Sequence, residues 1–202
     1  MSLANNLDRL KCVQEMFEHL SAGKHIDSML NADWWLLLQG EYKDDYATLF
    51  KHLGKTLFVD PRGFAYFNFD DFAPQIAARQ VALLFLLILD KKHSEGADLL
   101  QFTKWDLDSE FITQLREKNS DLLIQENLKD DDKWNRVVHK AELLGFLNKQ
   151  GPTYKMMSAC WRFMDLYQDL AKEDIADSTN ENEEDEEMDV DDNMDSDEEE
   201  NV

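Results

Sequence analysis

The triplet Gly54-Lys55-Thr56 carries the residue types that end a phosphate-cradling loop, where a lysine reaches the phosphates and a hydroxyl holds the metal. The spacing fails. The first glycine of that motif falls at position 49, which is Leu49. The triplet also leaves a helical pattern for a strand, the reverse of the order that aims a helix N-terminus at an anion. His19, His25, His52, His93 and His139 are scattered, without a Cys or carboxylate at ligand spacing, so they read as surface or capping residues and no metal site is expected. Ser21, Ser28 and Ser158 lie in capping or turn contexts, none of them in a nucleophile elbow. Acid–base work by paired carboxylates depends on a separation that a sequence does not fix. No catalytic residue and no cofactor is assigned.

What remains is binding chemistry. Lys133, Arg136, Lys140 and Lys149 are candidate DNA contacts, since lysine and arginine neutralise phosphates. Asp130, Asp131, Asp132 and Glu142 are interleaved with them, so any DNA contact is expected to be weak or to occur inside a larger complex. Trp34 and Trp35 are candidate partner-binding residues, because neighbours on a helix point about 100° apart and tryptophan is enriched at binding hot spots. For each of Trp34, Trp35, Trp105, Trp134 and Trp161, core packing is the default reading.

The elements that must position these groups come in a doubled pattern. Twice a helical stretch closes at Leu-Gly, enters a short apolar strand, turns at a Pro/Gly pair and returns as a second strand: residues 46–69, with Leu53-Gly54 and the turn 60–63, and residues 135–157, with Leu144-Gly145 and Gly151-Pro152. Each copy has the outline of a winged helix. Leu3, Leu7, Leu10, Val13, Phe17 and Leu20 recur at helical spacing ahead of Gly23, which predicts a first helix, and residues 24–26 read as an extended link. Asn31 caps a segment holding the tryptophan pair, and Gly40 is either a kink or a break before the period resumes at Tyr42. Pro74 starts a helix through about Lys92 whose stretch 81–89 is apolar on every face, which predicts a buried strut joining the two copies. Asp106 or Asp108 caps a helix carrying Phe111, Ile112 and Leu115. Asp130 to Asp132 give the helix running to Leu144 an acidic first turn, and Ser158 caps a terminal helix ending near Ile175.

Composition sets outer limits. The 202 residues carry a formal charge of −22, but residues 177–202 alone hold 15 acidic and no basic residues. That tail has almost nothing to bury and is expected to be disordered. It reads either as a solvated solubility segment or as a nucleic-acid mimic that competes for basic surfaces. Cys12 and Cys160 sit among apolar neighbours and are expected to be buried. The first ten residues lack the basic and apolar regions of a signal peptide, and the apolar run 81–89 is half the length that a bilayer-spanning helix needs. The expected fold is therefore mainly α with small β-hairpin wings (α+β): tandem winged-helix modules over 1–95 and 96–176, then a disordered acidic tail over 177–202.

Several of these features occur in one order. Gly23-Lys24-His25-Ile26 is followed by Tyr46, Leu53-Gly54 and the hairpin around Val59-Asp60-Pro61-Arg62-Gly63-Phe64-Ala65-Tyr66-Phe67. Then come the apolar helix with Asp90-Lys91-Lys92 behind it, Leu143-Leu144-Gly145-Phe146-Leu147, and the acidic tail. In that order and spacing the body of the chain, about residues 7–172, resembles the MukE/MksE family, accessory subunits of bacterial MukBEF-type SMC condensins, and the compact form is closer to MksE. The resemblance implies a homodimer of tandem winged-helix subunits, the kite arrangement, that binds a kleisin subunit and through it joins an SMC ATPase. It implies a cytoplasmic, nucleoid-associated, non-catalytic protein without cofactor or membrane contact, serving chromosome organisation, segregation or plasmid defence. The alternative is a free-standing winged-helix transcription regulator.

Overall fold

The computed structural model describes residues 7–68 and 76–165. Pro74, Phe69, the tail 177–202 and the end of the terminal helix lie outside these residues. The chain divides into two units, Met1–Met164 and Asp165–Val202, and of the second only Asp165 is described.

The first unit is mainly helical with two small antiparallel sheets, an α+β architecture. Helix α1 (Val13–Ser21) is followed by β1 (Ile26–Asp27), α2 (Ala32–Gln39), α3 (Lys43–His52), and a hairpin of β2 (Thr56–Asp60) and β3 (Phe64–Asn68). After α4 (Ile76–Ser94) comes a 3-10 segment, Leu99–Lys104. The order then repeats as β4 (Asp106–Asp108), α5 (Ser109–Lys118), α6 (Ser120–Gln125), α7 (Asp131–Leu143), and a hairpin of β5 (Leu147–Gln150) and β6 (Thr153–Met156). In both sheets the short leading strand pairs with the second hairpin strand, giving the orders β1-β3-β2 and β4-β6-β5. The doubling read from the hairpins thus extends to a third strand in each copy.

Local chemistry explains the boundaries. After α3, Gly54 (φ +75°) donates to the Lys51 carbonyl at 3.0 Å and Lys55 to the Phe50 carbonyl at 2.9 Å. After α7, Gly145 (φ +83°) and Phe146 donate in the same way to Glu142 and Ala141, both at 3.0 Å. Both helices therefore end in the left-handed glycine cap that satisfies the last carbonyls. Asp108 is the cap of α5, its carboxylate accepting from the Phe111 N–H at 2.6 Å, and Asp130 caps α7 through the Asp132 and Lys133 N–H groups. Gly40 separates two helices: it is extended, at φ −78° and ψ −169°.

Three sequence expectations are corrected. The first helix does not run from Leu3 to Leu20, because among the described residues α1 begins only at Val13, after a 3-10 turn at Leu7–Arg9 and a left-handed Cys12 at φ +53°. The buried Tyr46 hydroxyl causes the break, accepting from the Lys11 N–H at 2.9 Å and donating to the Lys11 carbonyl at 2.8 Å. Cys12 is consequently exposed, while Cys160 is buried as expected. Ser158 lies within a 3-10 turn (Ser158–Cys160) without capping the helical residues 161–165. The extended reading of 24–26 holds at its end, where Ile26 opens β1.

Two cores result. One gathers Met16, Leu20, Ile26, Leu38, Tyr46, Phe50, Ala65 and Phe67. The larger takes the α4 residues Val81, Leu84, Phe85, Leu87, Ile88 and Leu89 together with the buried faces of α5 and α7. Strand β3 divides them. Successive side chains on a strand point to opposite faces, so Ala65 and Phe67 enter the first core while Phe64 enters the second. Each fully buried Phe or Leu contributes about 1.5–3 kcal/mol, so the continuous apolar face of α4 is a large share of the second core.

Candidate partner and nucleic-acid surfaces

Polar groups from both copies meet along the seam beside β1. The Leu144 carbonyl, at the end of α7, accepts from the His25 N–H at 3.0 Å and from His25 Nδ1 at 2.8 Å. Nδ1 therefore carries the ring proton, and the Nε2 lone pair accepts from Arg162 Nη1 at 3.0 Å. Burial pushes the His25 pKa down to about 3, against the raising effect of the Leu144 bond, and the charge of Arg162 pushes the same way as burial. His19 is also lowered by burial; its Nε2 donates to the His25 carbonyl at 3.0 Å. Beside His25, the buried Asp27 carboxylate accepts from the Met29 N–H at 2.8 Å and the Ser158 N–H at 3.0 Å. The hydrogen bond from Arg62 holds the Asp60 carboxyl below its ordinary range, and the Arg62 guanidinium lies 5.1 Å from the Trp161 ring centroid. The His25–Leu144, Arg162–His25 and Ser158–Asp27 bonds tie the two copies together. The surface-or-capping reading of His25 is thus corrected: its side chain is buried and its partner is 119 residues away.

Gly54-Lys55-Thr56 is a helix cap leading into β2, so no helix N-terminus stands over it. Among the described residues no group of His, Cys, Asp and Glu could hold a metal ion, and no described helix is long and apolar enough to cross a membrane.

Trp34 and Trp35 are half-buried and pack against the first core, with Trp34 edge-on to His19 at 5.3 Å. The side chain next to them that faces outward is Leu36, 67% exposed, and Met29, ahead of α2, is 77% exposed. Sequence reasoning missed both; for Leu36 the signal was the helical period of α2, in which Trp34 and Trp35 lie on either side of the buried Leu38 and Leu36 falls opposite it. Trp134 is buried, and its Nε1 has no hydrogen-bond partner among the described residues.

The four cations separate into three and one. Lys133, Arg136 and Lys140 line one cleft of about 380 Å³ with Gln80 and Val81 of α4, Asn127 and Leu128 of the α6–α7 connection, and Val137. Lys149 is on β5 with its ammonium 5.8 Å from the Tyr154 ring centroid, and it does not line the cleft. The buried face of α7 is formed by Trp134, Val137, Val138 and Ala141. At about 100° per residue, the opposite face carries Asp132, Arg136 and His139, all exposed, with Asn135 and Glu142 on one flank, Glu142 paired to His139 at 3.4 Å, and Lys133 and Lys140 on the other. The outward side of α7 thus mixes both signs, with Asp132 and Arg136 side by side.

Among the described residues these features define a helical scaffold with two small antiparallel sheets and no group of His, Cys, Asp and Glu that could hold a metal ion. A family model described as "Condensin complex protein MksE" matches residues 11–168. The chain belongs to this family of condensin-complex proteins. A comparison with curated proteins gave no match.

Proposed function

We propose that the chain is a non-catalytic accessory subunit of an SMC condensin complex that works as a homodimer, binds the kleisin subunit and through it joins the SMC ATPase. The observation that carries this reading is the family match over residues 11–168, which covers both copies of the doubled pattern. Each copy, a short strand, two or three helices and a hairpin with three antiparallel strands in all, reads as a winged helix, with modules over 1–95 and 96–176 and an acidic tail over 177–202. The cellular setting that follows is cytoplasmic and nucleoid-associated, with chromosome organisation, segregation or plasmid defence as the process.

Partner binding falls to the exposed apolar surface around Met29, Leu30 and Leu36, with Trp34 and Trp35 behind it. DNA is reached chiefly through the complex, because Asp130, Asp131, Asp132 and Glu142 are interleaved with the cations of α7 and leave no strong positive field. That same interleaving weakens the reading as a free-standing regulator. The test is co-expression with candidate kleisin and SMC chains, followed by co-purification and size-exclusion chromatography. A ternary complex is expected; a folded, dimeric protein that takes up neither partner overturns the proposal.

A further inference from the structure

We infer that the cleft between α4 and α7 is a binding site for a compact polyphosphate anion, free or carried on a nucleotide. In a chain of formal charge −22, three of the eight residues lining this cleft, Lys133, Arg136 and Lys140, are cations, and no described lining residue is acidic. Carboxylates stand close by but are engaged elsewhere. Glu126, next to the cleft residue Asn127, is held by Arg79, Asp131 by Arg116, and Glu142 lies 3.4 Å from His139. Lys133 is half-buried and donates to the neutral Asn127 Oδ1 at 2.6 Å, while Arg136 and Lys140 have no ion-pair partner among the described residues. Three positive charges thus line one recess without a carboxylate to offset them, and an anion that reaches all three relieves their mutual repulsion.

Size and charge distribution then select among anions. The cations stand at positions i, i+3 and i+7 and span about 10 Å along α7. Lys133 and Lys140 bracket Val137, which lines the cleft together with Val81, Leu128 and the amides of Gln80 and Asn127. At about 380 Å³ the cleft falls within the range of small-molecule pockets, about 300–1,000 Å³. Phosphate oxygens lie along the cationic row, where the planar fork of Arg136 meets two oxygens of one phosphate. The three apolar residues then take the sugar and base of a nucleotide, and the two amides offer donors and acceptors to its polar edge. A long polyanion fits less well. A nucleic-acid backbone laid along α7 carries its charge past the cleft and meets Asp130 and Asp132 at one end and Glu142 at the other, whereas a polyphosphate keeps its charge within the row. The site is separate from Gly54-Lys55-Thr56 and does not depend on the condensin-subunit reading.

The experiment titrates ATP and GTP, each carrying a methylanthraniloyl fluorophore on the ribose, with the full chain by fluorescence anisotropy at two salt concentrations. The bound probe is then displaced with unlabelled nucleotide, inorganic triphosphate, adenosine, and duplex DNA at equal phosphate concentration. Nucleotide and triphosphate are both expected to displace it, and adenosine is not. Displacement at lower concentration by the nucleotide assigns the ligand as a nucleotide, and equal displacement assigns it as free polyphosphate. Binding is expected to weaken on the order of tenfold in the K133Q/R136Q/K140Q variant, as the loss of three exposed ion pairs implies. It should weaken by less in R136Q/K140Q, which spares the Asn127 bond. It should stay unchanged in K118Q, which removes an exposed charge at the end of α5, outside the cleft. Melting curves establish that each variant is folded. Four results would overturn the inference: no binding by the folded wild-type chain, equal binding by the folded triple variant, displacement by adenosine as effective as by ATP, or displacement by DNA at a lower phosphate concentration than by triphosphate. Failure of the nucleotide titration leaves kleisin co-purification standing, and failure of co-purification leaves the titration standing.

Discussion

Acidification should loosen this protein through His25, and the size of the effect follows from its surroundings. The ring is buried, its Nδ1 proton is committed to the Leu144 carbonyl, and its only free lone pair faces Arg162. Protonation would set two cations against each other at 3.0 Å without water to screen them. The folded-state pKa is therefore about 3, below the ordinary value of 6.5. Above pH 6.5 both folded and unfolded states hold a neutral ring, and its contribution to stability is complete. As the pH falls below that value the unfolded chain takes up a proton that the folded chain refuses, so stability is lost progressively until the folded pKa is reached. Between pH 7.5 and 5.0 the loss works out at about 2 kcal/mol. The charged groups that share this site are Arg162 and His19, and the lowered pKa of His19 acts in the same direction. The carboxylates of so acidic a chain also respond to pH, so the measurement is a difference: urea unfolding at both pH values for the wild type and for His25→Asn, whose amide can still donate toward Leu144. The wild type should lose about 2 kcal/mol more than the variant over this interval. Equal losses in the two proteins would refute the assignment of His25 as a buried, neutral seam residue.

Other perturbations probe the same framework. Asp27→Ala removes the acceptor of two backbone N–H groups and should cost about 3 kcal/mol or more in urea unfolding, with Asp27→Asn intermediate, since one amide oxygen remains. Gly145→Ala and Gly54→Ala both place a side chain at positive φ, at a cost of about 1–2 kcal/mol. Only at Gly145 would the new Cβ also meet the His25 carbonyl, at 3.3 Å, so its melting temperature should fall further than that of the Gly54 variant. Leu36→Asp should leave stability within about 0.5 kcal/mol, because the side chain is exposed, yet reduce recovery of the kleisin in co-purification.

How much of this was legible depends on the range over which each feature is decided. The hairpins and helix ends were readable because the Leu-Gly caps, the Asp60-Pro61-Arg62-Gly63 turn and Gly151-Pro152 act within a few residues. The strands β1 and β4 were not, since two or three residues carry no periodicity and both are strands only because β3 and β6 arrive from elsewhere in the chain. The burial of His25 and Asp27 was hidden for the same reason, their partners lying 119 and 131 residues away. Cys12 was misjudged because Tyr46, remote in sequence, captures the backbone of Lys11 and breaks the helix there. At the candidate surface, charge alone singled out Lys133, Arg136, Lys140 and Lys149, and only packing separated the first three, beside α4, from Lys149 on β5.

That packing also explains why two copies of one topology offer different chemistry. Helices α3 and α7 occupy equivalent places, each ending at a glycine cap and feeding a hairpin. The α4 helix packs on α7 and α5 and commits its apolar face to the second core. Its first turns stand beside α7, so cations on that flank line a recess. The first copy is tied to this assembly through β3, which serves both cores, and through the His25 and Asp27 bonds. The apolar surface around Leu36 and the basic cleft are therefore carried by parts of one framework held by buried bonds. A partner held at the first and a polyphosphate held at the second would each meet a backbone already set in place, and the ordering cost of binding would fall on the ligands and on the side chains that hold them.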